Sequence, residues 1–345
     1  MSRSAGGGRS MTAQHTSSPP DVTVVIVSWN VRGYLARCLA GLRREARSAP
    51  YTTRVVVVDN GSTDGTLQML AEHFPEVGVL ANPSNRGFGA ANNRALAQCT
   101  TRYALVLNPD TELLPGALTH LVAELEAHPE AAVCGPMLLN ADGSVQSSRR
   151  RLPRAATGFV ESTLVQRFLP DLALLRHYYA ADRPDDVAQE VDWVTGAAML
   201  VRMSAAREVG LFDERFFMFS EELDWCWRFR RAGWTVRYTP AARVIHYGGR
   251  STAQVPVQRQ LLFLHAKYRL YRTYFGHATA LLLRAFIFCT YVAQLAEEAV
   301  KLLYRAEQRP LRAARVRAFL QILRWHLHGT PLPVPGRTGT VETAP

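Results

Sequence analysis

Val55-Val-Val-Val-Asp-Asn-Gly-Ser-Thr-Asp-Gly-Thr66 is the stretch that decides how the rest of the chain is read. Four successive valines favour extended backbone, and a run that is apolar on both faces belongs in a buried parallel strand. The run stops at a carboxylate, Asp59, followed by a glycine-rich turn. In open α/β sheets ligands sit beyond the carboxyl ends of the strands, so Asp59 stands where a nucleotide would meet it. Asp59 and Asp64 are also suited to capping the next helix. The turn has the spacing of neither the dinucleotide fingerprint nor the phosphate loop, which disfavours hydride transfer and ATP hydrolysis.

The pattern repeats on both sides of this stretch. Upstream, residues 22–27 form a second buried strand closed by Ser28-Trp29-Asn30, and a helix follows over about 34–47 with Leu35, Cys38, Leu39 and Leu42 on one face. Downstream come a helix near 66–73, a short strand at 77–80, the loop Asn82-Pro-Ser-Asn-Arg-Gly-Phe-Gly89 and a helix over 90–98. An apolar strand at 103–107 then ends at Asn108-Pro109-Asp110. Such alternation implies an α/β fold with a parallel, doubly wound sheet over residues 21–135. Past residue 140 the pattern changes. Ser147 to Arg154 is a basic loop, and 155–190 reads as a weakly periodic helical excursion. Residues 192–203 return as a strand interrupted by Thr195-Gly-Ala-Ala198, and 212–231 is aromatic and acidic, helical in its second half. Residues 235–246 read as two short strands leading to Tyr247-Gly-Gly-Arg-Ser251.

A chain of 345 residues accommodates one large or two modest domains. Its 40 basic and 29 acidic residues give a net charge of +11, which favours anionic partners. The basic residues gather in one loop and the C-terminal helices without a reader motif, which argues against nucleic acid. The five cysteines (38, 99, 134, 226 and 289) lack metal-ligand spacing and suit a reduced compartment. Residues 1–20 lack the apolar core of a signal peptide and read as a disordered tail, as do 331–345. Between them, 256–330 reads as helical and membrane-associated. Residues 278–296 are mostly apolar but carry Arg284 and Gln294, marginal for a span. Gln294, Glu298, Lys301 and Arg305 share one helical stripe, and a basic helix with Arg312, Arg315, Arg317 and Arg324 follows. Helices of this kind lie in the headgroup region of an acidic membrane, or pack on the body of the protein.

The polar clusters fall at strand ends and in loops: Asp59, Asn85-Arg86-Gly87, Asn108-Pro-Asp110, Glu221-Glu222-Leu-Asp224 and His246. A carboxylate such as Asp110 at a strand end suits a hard divalent cation that completes its shell with phosphate and water. His246 would add a nitrogen, which suits Mn²⁺ as well as Mg²⁺, although a lone strand-end histidine also serves structure. Glu221, Glu222 and Asp224 lie among Phe216, Phe217, Phe219, Trp225 and Trp227. Carboxylates crowded in apolar surroundings hold protons more tightly, which suits a general base; a charged helix start is the other reading. Trp193 beside Thr195, Gly196 and Ala197 suits either stacking on a sugar, which would make this an acceptor pocket in a sugar-transferring enzyme, or a place in the core, and Arg149, Arg150, Arg151 and Arg154 suit either gripping a diphosphate or a solvated basic loop.

In this order these segments resemble the inverting family-2 glycosyltransferases, most closely the bacterial rhamnosyltransferase-type branch, over residues 21–275. The resemblance implies a GT-A fold, with a nucleotide-binding half at 21–135 and an acceptor half at 136–255, followed by C-terminal amphipathic helices. It implies donor contacts from Ser28, Asn30, Asp59, Asp64, Arg86, Asn92, Asn93 and Asn108. Asn108-Pro-Asp110 takes the place of the family's Asp-x-Asp, with Asp110 the retained ligand of Mg²⁺ or Mn²⁺ and His246 a further one. Glu222 stands where the catalytic aspartate usually is, with Asp224 the second choice. The implied reaction carries a sugar, L-rhamnose from dTDP-rhamnose first, onto a polyprenyl-diphosphate-linked or polysaccharide acceptor at the cytoplasmic face of the plasma membrane. The alternative is a non-catalytic nucleotide-sugar-binding subunit of an envelope-assembly complex, motivated by Asn108 standing where the family has an aspartate.

Overall fold

The computed structural model describes residues 22–304 and 308–328. Arg305 and the tails expected at 1–20 and 331–345 lie outside the described residues. The first half alternates as its apolar runs dictate. Strands β1 (Val22–Ser28), β2 (Thr53–Asp59), β3 (Gly78–Ala81) and β4 (Tyr103–Leu107) are joined by helices α1 (Arg32–Ser48), α2 (Thr66–His73) and α3 (Phe88–Leu96). These four strands pair in parallel in the order β3-β2-β1-β4, with Ser28 beside Asp59 in register. Seven consecutive buried residues in β1 reflect helices on both faces of the sheet.

The second half adds β5 (Thr111–Leu113), α4 (Ala117–Ala127), β6 (Ala131–Leu139) and the short β7 (Val145–Gln146) and β8 (Arg149–Arg150). The excursion forms three short helices, α5 (Thr157–Val160), α6 (Leu164–Phe168) and α7 (Ala173–Tyr178). Then come β9 (Gln189–Val191), β10 (Trp193–Val194), β11 (Ala198–Arg202), α8 (Met203–Val209), α9 (Glu221–Arg231) and β12 (Thr235–His246). The sheet continues β4-β11-β6-β12-β5, with β11 antiparallel to both neighbours and β12 parallel to β6. The two short strands expected over 235–246 are one strand whose register shifts between Thr239 and Arg243, the signature of a bulge that bends a strand without ending it.

The chain ends in α10 (Pro256–Tyr304), broken by non-helical backbone at Gly276, and α11 (Arg309–His328). The first arm of α10 joins the main core: Phe263 meets Phe219 edge-on, and Tyr274 stacks on Trp227 with centroids 3.9 Å apart. The second arm pairs with α11. Of the expected stripe, Glu298 faces α11, whereas Lys301 bonds to Glu297 on its own helix. Glu298 is buried and takes two bonds from Arg312 (2.7 and 2.8 Å) and one from Arg315 (3.3 Å). Arg284 likewise donates to the His326 carbonyl at 2.6 Å. The opposite face of this arm is left uncovered and apolar, with Leu281, Leu282, Cys289, Val292 and Val300 exposed. Residues 256–302 are long and apolar enough to cross a membrane by length and composition.

Candidate active site

The carboxyl ends of β1, β2 and β4, the start of α9 and the end of β12 converge on one cavity of about 460 Å³, within the range of small-ligand sites. Its floor carries Asn108, Asp110 and His246, and its far wall Glu221 and Glu222. The sheet brings Asp110 and His246 together. His246 pairs with Thr111 across β12 and β5, and the Tyr247 amide donates to the Asp110 carbonyl at 2.9 Å.

His246 Nε2 lies 3.5 Å from Asp110 Oδ1, and its Nδ1 lies 2.7 Å from Gln146 Oε1. Gln146 Nε2 donates to Asn140 Oδ1 at 2.9 Å, leaving Oε1 as the acceptor. Nδ1 therefore carries a proton, and Nε2 is the nitrogen turned toward the carboxylate and the cavity. Asp110 is 4% exposed. Burial raises its affinity for a proton, but His246 and the Arg250 amide, 3.1 Å away, outweigh burial and hold it below the usual carboxylate range. A charged carboxylate beside an imidazole nitrogen that faces the cavity fits a divalent cation, which would take the place of any proton on Nε2, with Gln146 fixing the imidazole from behind. Among the described residues no group of three or more His, Cys, Asp or Glu could hold a metal, so the remaining positions would fall to phosphate and water. Asn108 lies on the same floor, its Nδ2 3.5 Å from His246 Nε2.

Glu221 and Glu222 open α9, where acidic residues are favoured by the helix dipole and Arg228, Arg230 and Arg231 close the last turn. The backbone entering this helix is strained: Phe219 and Ser220 have φ of 72° and 65°. Left-handed non-glycine residues in succession mark a segment that its surroundings hold in place. Gly87 is one of those surroundings. It has φ of 87°, a Cβ there would sit 2.3 Å from the Phe217 carbonyl, and the Phe88 amide donates to that oxygen at 2.8 Å. The Asn85-Arg86-Gly87 loop thus props the loop that carries the two glutamates. Asn60 braces it from the other side, donating to Asn85 Oδ1 at 2.8 Å and accepting from the Arg86 amide at 3.0 Å.

Both glutamates keep one buried carboxylate oxygen without a hydrogen-bond partner. Burial raises the proton affinity of each, and the charge of Glu222 raises that of Glu221 further. Gly196 packs against Glu222, its absent Cβ 3.5 Å from that of Glu222. Asp224 does not reach the cavity. Its carboxylate accepts from Arg228 Nε at 2.9 Å and from the Tyr274 hydroxyl at 2.7 Å, which fastens α9 to α10.

The other expected residues divide. Thr195, Gly196 and Ala197 line the cavity, and the Asn108 amide donates to the Ala197 carbonyl at 2.9 Å. Ser28 and Asp59 sit side by side beneath it, each with a buried oxygen lacking a partner. Asn30 and Asp64 border an open groove that meets the cavity at Arg250. Asn92 is buried and bonded to the Phe88 carbonyl, Asn93 is bonded to both polar groups of the Phe212 backbone, and Arg86 is exposed outside the cavity. Arg149 faces away from it: the guanidinium is buried on Asp185 at 2.7 Å and on the Ala180 and Arg183 carbonyls. Trp193 and Arg150 lie on the other side of Glu222. Sequence reasoning gave no role to Trp29, Gln146, Arg250 or Arg259, which also line the cavity.

A largely parallel α/β sheet with an Asp–His pair at its carboxyl edge and buried glutamates opposite is a layout suited to a nucleotide-dependent transferase. The model of "Glycosyl transferase family 2" matches residues 23–209, and the chain belongs to that family. It is 35% identical over 244 residues to the N-acetylglucosaminyl-diphospho-decaprenol L-rhamnosyltransferase of Mycobacterium tuberculosis (strain H37Rv), covering 68% of this chain and 78% of that one. It is 27% identical over 234 residues to rhamnosyltransferase WbbL of Escherichia coli (strain K12), covering 66% and 83%. The fold also matches the mannosyltransferase PcManGT of Pyrobaculum calidifontis, solved with GDP-Man and Mn²⁺, with a TM-score of 0.50, 16% identity and 90% of each chain covered. The chain is a rhamnosyltransferase-like glycosyltransferase of GT-A type.

Proposed function

We propose that this enzyme moves L-rhamnose from dTDP-rhamnose, with inversion at the anomeric carbon, onto a sugar carried by a polyprenyl diphosphate. The observation that carries the chemistry is one cavity with the Asp110–His246 pair on its floor and the partnerless oxygen of Glu222 on its wall. The choice of sugar and acceptor is supported by the likeness to the decaprenol-linked rhamnosyltransferase.

Glu222 takes the proton from the acceptor hydroxyl as that oxygen bonds to the anomeric carbon and the bond to the diphosphate breaks. Attack from the face opposite the leaving group inverts the centre, through charge development like that of glycoside hydrolysis. Asp110 Oδ1 and His246 Nε2 would hold Mg²⁺ or Mn²⁺, which when bound supplies positive charge against the leaving diphosphate. Arg250 and Arg259, both on the cavity wall, add cations of their own. Asp59 and Ser28 each keep a buried partnerless oxygen beneath the cavity, at the strand ends where the base would lie, and Asn30 and Asp64 border the groove for the rest of the nucleotide. Arg86, Asn92 and Asn93 contribute by holding the loop and α3 that shape the donor side.

Residues 22–255 form the transferase body and 256–328 the membrane-associated part. The uncovered apolar face of α10 lies in the headgroup region, flanked by the exposed Arg315, Arg317 and Arg324 of α11, which suit acidic lipid. An enzyme held by that face would work at the cytoplasmic side of the plasma membrane, where a lipid-linked acceptor would reach it. The test is a transfer assay with dTDP-rhamnose and a prenyl-diphospho-N-acetylhexosamine, with the anomeric configuration of the product read by NMR. An inverted linkage is expected; a retained one would overturn the mechanism.

A further inference from the structure

The helical excursion carries a tip that the core does not cover. Leu164-Val-Gln-Arg-Phe-Leu-Pro170 turns as α6 and stops before Pro170, which disfavours helical backbone in the residue preceding it. No residue of α6 is buried. Phe168 is 72% exposed and Leu169 54%, and among the described residues Phe168 is the one exposed phenylalanine. The tip is held in place. The Thr163 hydroxyl caps α6, accepting from the Val165 amide at 3.2 Å and donating toward the Phe159 and Val160 carbonyls at 2.9 and 2.8 Å. Gln166 accepts from the Ser162 amide at 2.7 Å and donates to the Tyr179 hydroxyl at 3.3 Å. Two adjacent large apolar side chains are thus kept in water on an anchored turn, which is costly unless something covers them.

The tip stands at the edge of the open α10 face. Phe159 meets Phe286 edge-on with centroids 5.5 Å apart, and Arg167 lies 3.9 Å from Glu297. Ala293, Glu297 and Val300 share one side of the second arm by helical spacing, and Ala293 and Val300 are exposed. The apolar face therefore continues sideways onto a second element. Phe168 and Leu169 amount to a few hundred Å² at most, whereas a stable protein interface needs about 800 Å² per partner. A fluid acyl layer takes single side chains without a complementary surface. The Arg167 guanidinium lies 5.7 Å from the Phe168 ring centre. The exposed charges of the excursion nearest the tip in sequence, Arg167, Asp171 and Arg176, leave a net positive charge. Arginine beside an apolar tip reaches headgroup phosphate while its stem stays in the apolar layer.

We infer that Phe168 and Leu169 insert into an acidic bilayer as a second anchor beside α10. The inference rests on the membrane placement proposed above and adds a separate point of contact. A single helix lying on a bilayer is free to roll about its axis, and a second point beside it fixes that roll. The same excursion supplies Thr157, Glu161, Tyr178 and Tyr179 to the small cavity next to Glu222. Seating the tip in lipid therefore sets the height of Glu222 above the bilayer.

The test uses full-length protein and vesicles of phosphatidylglycerol with phosphatidylcholine. Phe168→Cys in a Cys289→Ser background takes one environment-sensitive fluorophore, because Cys38, Cys99, Cys134 and Cys226 are buried. Its emission is expected to shift to the blue on adding vesicles and to fall with a quencher carried in the acyl chains. Phe168→Ser together with Leu169→Ser should lower vesicle affinity at least about tenfold, the lower end for losing one buried large apolar side chain. The melting temperature should hold, since both side chains are exposed. Emission unaltered by vesicles, or a double variant binding within about twofold of wild type, would overturn the inference. Release by Leu282→Glu in the same assay would then leave the membrane placement standing without it. A wild type that does not bind vesicles would overturn both. A blue shift that grows with protein concentration in the absence of lipid would overturn the inference in favour of a second copy.

Discussion

Replacing Glu222 by glutamine removes one proton-accepting oxygen and little else. The substitution is isosteric, the affected Oε2 has no hydrogen-bond partner to lose, and the side chain keeps its packing on Gly196. General-base catalysis contributes about 10²- to 10⁴-fold, equivalent to about 3–5 kcal/mol of barrier. We expect kcat for rhamnosyl transfer to fall within that range. Donor affinity, measured by calorimetry with the nucleotide sugar, should change far less. The pH profile supplies the second readout. Burial lifts the proton affinity of Glu222 above the ordinary value of 4.5, so wild-type kcat/KM should rise with pH through an apparent pKa above that value. That pKa belongs to the coupled Glu221–Glu222 pair rather than to one residue. The rising limb should vanish in Glu222→Gln. A variant within tenfold of wild type, or an unchanged pH limb, would refute the assignment. Asp224→Asn is the control: it should lower thermal stability, because Arg228 and Tyr274 lose their anchor.

Three further outcomes follow from the same geometry. Burial and the charge of Glu222 raise the proton affinity of Glu221 in the fold, so its contribution to stability is full below its unfolded pKa and falls as pH rises from there through the folded one. Glu221→Gln should abolish a slope of up to about 1.4 kcal/mol per pH unit, read from denaturant melts at several pH values; an unaltered slope would show that Glu221 is charged. Gly87→Ala forces a side chain into glycine-only backbone and against the Phe217 carbonyl, and should cost about 3 kcal/mol of stability and depress kcat; a melt within about 0.5 kcal/mol of wild type would contradict the propping role of that loop. Leu282→Glu and Val292→Glu on the uncovered face of α10 should release the protein from acidic liposomes in co-sedimentation without lowering its melting temperature, whereas persistent binding would assign membrane contact elsewhere.

The strands before Asp59 and Asn108 were legible because each is a near-continuous apolar run ending at a polar residue, whereas β12, with Arg237, Thr239, Pro240 and Arg243 inside it, was read as two. β11 was also expected as a strand, but its antiparallel direction was not legible, since a fully buried strand has the same apolar pattern whichever way it runs. Gln146, Arg250 and Arg259 escaped because nothing local marks them; the β12–β5 pairing and the β6–β7 hairpin bring them to Asp110 and His246. Arg149 and Arg150 show a different limit. Successive strand residues point to opposite faces, so one of the two had to turn from Glu222, but which one depended on the distant Asp185. Glu298, expected on a polar stripe beside the membrane, has a basic helix as its partner. One helix's sequence cannot tell a basic helix from a headgroup layer.

The most direct measurement is nucleoside diphosphate release by the purified protein in detergent, with Mn²⁺ or Mg²⁺ and a prenyl-diphospho-sugar acceptor, across dTDP-rhamnose, GDP-mannose and UDP-sugars. Release from dTDP-rhamnose, lost in Asp110→Ala and His246→Ala, is the predicted result. Release undiminished in both variants, or no release and no nucleotide binding with any donor, would contradict the proposed centre.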